Sequence, residues 1–198
     1  MGQCLAESKV LLDFPTPTPP LKGRGLGCAR FPSAAFSLKG RAMSSHLTPR
    51  TAPRSKARAA ARLAAVQALY QHDMEATAIP VLLHEFHNHR LGATIEDAEY
   101  AEPEVDFFDD VVKGTTARLS EIDTAIAGKL AKGWNLARLD KAMRAILRAG
   151  TYELLARADV PTGAVITEYV DVAHAFFDKR ESGFVNGLLD AIAKDVRA

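Results

Sequence analysis

Three arginines at four-residue spacing, Arg54, Arg58 and Arg62, stand with Lys56 at the front of an alanine-rich run. A guanidinium offers a planar fork of N–H donors that matches phosphate oxygens, and a row of them suits a polyanion. No acidic residue lies at helical pairing distance in the first two turns. Cations are also disfavoured at a helix N-terminus, where the macrodipole is positive. Two readings compete: contact with RNA or DNA, or a plain solvated face.

The element that must position these groups is the run from Arg54 to Asp73. It is built from strong helix formers and contains neither glycine nor proline. At about 100° per residue, Arg54, Arg58 and Arg62 fall on one stripe. Ala59, Leu63, Val66 and Tyr70 form an apolar stripe about a quarter-turn or more away. One helix is therefore expected to dock on a core and to leave a flank of guanidinium groups in water.

The totals are those of an ordinary globular protein: 198 residues, 47% hydrophobic and 25% charged, with a net charge of +1. That length suits one domain, or one domain with a tail. Abundant alanine and few aromatics suit close helix packing. Cys4 and Cys28 are the only cysteines, which argues against a disulfide framework or a cysteine-rich zinc site and for a reducing cytoplasm. No apolar run approaches the about 20 residues that cross a bilayer, so no membrane partner is expected.

Residues 1–49 read as a disordered Pro/Gly-rich extension, with Pro15, Pro17, Pro19 and Pro20 followed by Gly23, Gly25 and Gly27. Val10–Leu12 is too short for the core of a targeting peptide, and Met43 is a candidate natural start. The folded part, 50–198, reads as all-helical. Pro80 suits the first turn of a second helix that runs to Gly92. Its His84 and His87 share a face but lack the four-residue spacing of a zinc helix, so surface histidines and no metal are expected. The charge then reverses from Glu96 to Asp110, and Pro103 opens a third helix with Phe107, Phe108, Val111 and Val112 inward. Ser120–Asp123 resembles a capping box, where the helix breaks and restarts. With nothing apolar around them, the clustered carboxylates read as a hydrated loop and helix start.

Leu136–Ala158 repeats apolar residues at three and four, the pattern of a core helix, with Arg138, Lys141, Arg144 and Arg148 opposite. A fifth helix starts near Thr162 and buries Val165, Ile166, Tyr169, Val172, Ala173 and Phe176. Ser182 suits the N-cap of a last helix beginning at Phe184. No segment reads as a strand.

Four strings occur in order: Arg62 with Val66-Gln-Ala-Leu-Tyr70, Ala145-Ile-Leu-Arg148 with Tyr152-Glu-Leu154, Asp159-Val-Pro161 with Val165-Ile166 and Glu168, and Phe184-Val-Asn-Gly-Leu-Leu-Asp190. Together they resemble the NusB family of transcription antitermination factors over about residues 50–198. The resemblance implies a compact bundle of six to seven helices in two small sub-bundles, and a non-enzymatic role without cofactor. It implies binding of single-stranded boxA RNA from ribosomal RNA operons together with the ribosomal protein NusE. The resulting complex acts on RNA polymerase to promote processive elongation.

By position, Arg58 and Arg62 match basic sites of the family's first helix, and Gln67 and Tyr70 match its end. Phe184 and Asn186 match a string near the family's RNA contacts. Arg54, Lys56, Arg144 and Arg148 complete the expected RNA-binding set. Phe184 can stack a base or pack inward, Asn186 can read a base or cap locally, and Tyr70 is expected in the core with its hydroxyl available. The arginines are sparser than in many members.

An alternative is a helical protein-interaction or self-association module without direct RNA recognition. The related domain also occurs fused to RNA cytosine methyltransferases, but no methyltransferase segment follows Ala198 and no nucleophile with an adjacent base is visible. Monomer and homodimer are both open at this level.

Overall fold

The computed structural model describes residues 54–91 and 103–197. The helices are α1 Arg54–Glu75, α2 Ile79–His89, α3 Val105–Ala117, α4 Leu119–Ala127, α5 Lys141–Ala156, α6 Thr162–His174 and α7 Lys179–Val196, with a 3₁₀ turn at Leu136–Arg138. No strand occurs among the described residues. The extension 1–49 with Met43, and the acids Glu96, Asp97, Glu99 and Glu102, lie outside them.

Helix α5 organises the packing. It touches α1, α3, α4, α6 and α7, while α1 also packs on α2, α3 and α6. One sub-bundle, α1–α3, and another, α4–α7, thus meet on a shared central helix. The sequence of α5 explains this position, because Ala145–Leu147 and Ala149–Leu154 are all buried. Phe86, Phe107 and Phe108 fill the first sub-bundle, and Val165, Tyr169, Leu188, Leu189 and Ile192 the second.

Several boundaries differ from the sequence expectation. Helix α5 begins at Lys141, capped by Asp140, whose side chain accepts from the Ala142 amide at 2.8 Å. Only a 3₁₀ turn precedes it. The break in the third helix falls at Arg118, two residues before the capping-box serine. Helix α7 starts a turn early: Asp178 caps it, accepting from the Arg180 and Glu181 amides. Ser182 is instead buried inside that helix and donates to the Asp178 carbonyl at 2.9 Å. Phe176 lies beyond the end of α6.

Helix α1 ends with a left-handed residue that is not glycine. Ala76 has φ 52°, and its amide donates to the His72 carbonyl at 2.9 Å. Glycine adopts this conformation without a Cβ penalty. Ala76→Gly is therefore expected to raise stability by about 0.5–1 kcal/mol, seen as a rise of a few degrees in thermal midpoint. A lowered midpoint contradicts that account of the turn.

Candidate nucleic-acid interface and the ion network behind it

Along α1 the three arginines descend from water into the core. Their side chains are 75% exposed at Arg54, 13% at Arg58 and 4% at Arg62. Arg62 forms a two-pronged pair with Glu153 of α5, Nε–Oε2 2.9 Å and Nη2–Oε1 2.5 Å, and reaches Glu168 of α6 at 3.2 Å. Glu153 is fully buried. Arg58 donates to Glu104 at 3.0 Å and lies 3.5 Å from Asp159. The guanidinium carbons of Arg58, Arg62 and Arg157 all lie about 5 Å from the centre of the Phe107 ring, at 4.9, 5.0 and 5.0 Å.

The expected solvated guanidinium flank is thus corrected: it exists at Arg54 alone. The reason is tertiary. Helix α1 buries Ala61, Arg62, Ala65, Val66, Ala68 and Leu69, while Ala59, Leu63 and Tyr70 of the expected apolar stripe are only half-buried. The arginine stripe thus runs into the buried face, where α3, α5 and α6 close over its inner half and bring acids from elsewhere in the chain. Glu104 stands at the start of α3, as expected of this acidic stretch, but is an ion-pair partner of α1 and not merely hydrated.

The titration behaviour follows from these pairs. Burial disfavours the Arg62 cation, yet hydrogen bonding and charge from Glu153 outweigh it and raise its pKa. Partial burial pushes the Glu104 carboxyl up, but hydrogen bonds from Arg58 and Arg54 hold it below the usual range. Asp159 is held down to about 2 by its hydrogen bonds from Arg157 and by that residue's charge. Tyr169, fully buried, is held well above the usual phenol range by burial and then by Glu153.

Arg144 and Arg148, on the polar side of α5, are also engaged. Arg144 donates to Asp73 of α1 at 2.6 Å, and Arg148 pairs with both oxygens of Asp123 on α4 at 2.8 and 2.7 Å. Partial burial works against the Arg148 charge, but Asp123 and Asp73 outweigh it and raise its pKa. At Asp73 burial pushes upward and is overcome by Arg144 and Arg148, leaving it depressed. These two arginines tie the end of α1 and the middle of α4 to α5.

The depressed carboxylates set the acid limit. Their folded pKa values lie below the unfolded 3.8 of Asp and 4.5 of Glu, so the stability they add is present above those values. It is lost as pH falls through the folded values, reaching about 2 at Asp159. The thermal midpoint is expected to fall steadily below about pH 4.5. A midpoint that rises on acidification contradicts the ion network.

The remaining candidates divide by exposure. Lys56 and Asn186 are exposed, while Gln67, Tyr70 and Phe184 are half-buried. Tyr70 and Phe184 pack against the core. Phe184 and Asn186 sit near the start of α7, which packs on α6 and α5. Sequence reasoning missed Glu104, Glu153, Asp159 and Glu168 as the arginine partners, and Phe107 as the ring they surround. His84, His87 and His89 are exposed, and His87 Nε2 lies 2.7 Å from Asp109. Among the described residues, no group of three or more metal-type ligands gathers. No helix among them is long and apolar enough to cross a membrane.

What fold and site define together is an all-helical protein with a small basic edge in front of an internally neutralised ion network. A sequence model of the NusB family matches residues 59–194, and the chain belongs to that family. The transcription antitermination protein NusB of Sphingopyxis alaskensis is 72% identical over 138 residues, spanning 70% of this chain and 93% of its own. Its counterpart in Caulobacter vibrioides is 48% identical over 137 residues, spanning 69% and 92%. Among solved structures, T. maritima NusB aligns with a TM-score of 0.58 at 31% identity, over 73% of this chain and 93% of its own. A NusB chain solved in complex with NusE and double-stranded RNA aligns with a TM-score of 0.59 at 27% identity, over 70% and 97%.

Proposed function

We propose that this protein is a non-enzymatic, cytoplasmic RNA-binding antitermination factor. With the ribosomal protein NusE it binds single-stranded boxA RNA of ribosomal RNA operons and promotes processive elongation by RNA polymerase. The observation that carries this reading is family membership across nearly the whole described body. The likeness to a NusB chain that holds NusE and RNA supports it.

Side-chain exposure supports a narrower set of contacts. Phosphate contacts fall to Arg54 and Lys56, which reach water, and to the outer side of Arg58. Base reading or stacking falls to Asn186, which is exposed, and to Phe184, which is half-buried. Arg62 acts behind this edge as a support, Arg144 and Arg148 brace the far end of α1 at Asp73, and Tyr70 packs α1 against the core.

The test is RNA anisotropy with boxA RNA and NusE across a salt series. Arg54→Ala with Lys56→Ala is expected to leave the thermal midpoint nearly unchanged. The slope of log affinity against log salt becomes shallower by about 1–1.5, at about 0.7 per single-strand phosphate contact. An unchanged slope removes these cations from the RNA face.

Internal neutralisation of Arg58 and Arg62 favours a second reading, a protein-docking module with no RNA recognition of its own. NusE capture without any RNA shift, alone or as a pair, selects it.

A further inference from the structure

Among the acids of the network Glu104 is set apart by its pairing with Arg54, and like Asp159 and Glu168, but unlike Glu153, it can be reached by water and therefore by a ligand. Its side chain is 27% exposed, against 0% for Glu153. It accepts from Arg58 Nε at 3.0 Å and from Arg54 Nε and Nη2, both at 3.4 Å. Its own amide donates to the Ala57 carbonyl at 3.2 Å, so the main chain fixes the carboxylate beside the first turns of α1. No other acid among the described residues pairs with Arg54.

A carboxylate in a guanidinium fork takes the place that a phosphate oxygen takes in nucleic-acid contacts. We propose that Glu104 is a built-in competitor for RNA, occupying the Arg54–Arg58 pair that a backbone phosphate fills on binding. The inference rests on the RNA-binding reading above and deepens it, because it names what the RNA must displace. On binding, the Arg54 fork turns from Glu104 to phosphate, and Arg58 exchanges its Nε contact while keeping Asp159. The neighbouring Glu153 and Glu168 take no part, since both are held by Arg62. A second consequence is selectivity: a ligand that cannot supply a phosphate at this point meets a neutralised, slightly repulsive surface.

The experiment compares the full chain with its Glu104→Gln variant, each with NusE, on boxA RNA and on an unrelated single strand of equal length. Glutamine keeps the size of the side chain and removes the charge, and a thermal melt confirms folding. The variant is expected to bind RNA about five- to tenfold tighter at about 0.1 M salt, with a salt slope steeper by about 0.7. Adding Arg54→Ala to Glu104→Gln removes most of the gain. If the original chain binds boxA RNA and the folded variant binds no tighter with the same slope, the competitor role is overturned while the RNA-binding reading stands. If the original chain binds neither RNA and Glu104→Gln binds both, the competitor role is upheld and boxA recognition by the original chain fails. Binding by neither protein to either RNA overturns both.

Discussion

Arg62→Ala is expected to lower the unfolding free energy by about 3–5 kcal/mol, the loss that follows when one partner of a buried ion pair is removed. The effect comes less from the missing hydrogen bonds than from the charge left behind. Glu153 is fully buried, and in the structure its two oxygens are both held by the Arg62 fork. Without that fork the carboxylate must ionise in a low-dielectric interior, take up a proton, or admit water. The truncation also empties the space beside Phe107, whose ring faces the Arg62 guanidinium at 5.0 Å. Urea unfolding followed by circular dichroism checks the prediction, and a loss below about 1 kcal/mol, the range of exposed pairs, contradicts it. Lysine does not substitute well, because a single ammonium cannot make the two parallel bonds.

Gly114→Ala carries the second large effect. Helices α3 and α5 approach so closely there that a Cβ on residue 114 overlaps the outer half of the Tyr152 ring. The ring cannot simply swing aside. Tyr152 is buried, and its hydroxyl donates to Asp110 at 3.0 Å, which in turn pairs with Arg157 at 2.8 Å. Overpacking at such a point costs about 1–3 kcal/mol, with the lost hydroxyl bond added, so a fall in thermal midpoint of about 5–10 °C is expected. Because the collision is with the far end of the ring, adding Tyr152→Leu recovers part of the loss. No recovery places the strain elsewhere.

Helix identities were legible in the chain because apolar residues recur at three and four wherever a face is buried, as along Val165, Tyr169, Val172 and Ala173. Ends were less so. Asp178 and Ser182 are both competent caps, and Gly183 favours a later start, yet α7 takes the aspartate and runs through the glycine. The ion network was hidden for a different reason. Same-helix spacing reveals partners three or four residues away, whereas Arg58 meets Glu104 across 46 residues and Arg62 meets Glu153 and Glu168 across 91 and 106. The partners are single acids on distant elements, Glu104 at the start of α3, Glu153 on α5 and Glu168 on α6, which only the fold could assign. Phe184 illustrates a middle case, since helical phase places it at the rim of the core and both stacking and packing remain open to one ring.

The claim on which the rest turns is that Arg62 holds the bundle together and does not touch RNA. Replacing both members of the buried pair, Arg62→Met with Glu153→Met, removes the charges together and leaves apolar groups of similar length, a change that buried pairs tolerate. RNA affinity of this folded double variant with NusE across a salt series is the deciding measurement. Affinity and slope equal to those of the original chain are expected. A tenfold loss of affinity at an unchanged thermal midpoint contradicts the claim and returns Arg62 to the RNA face.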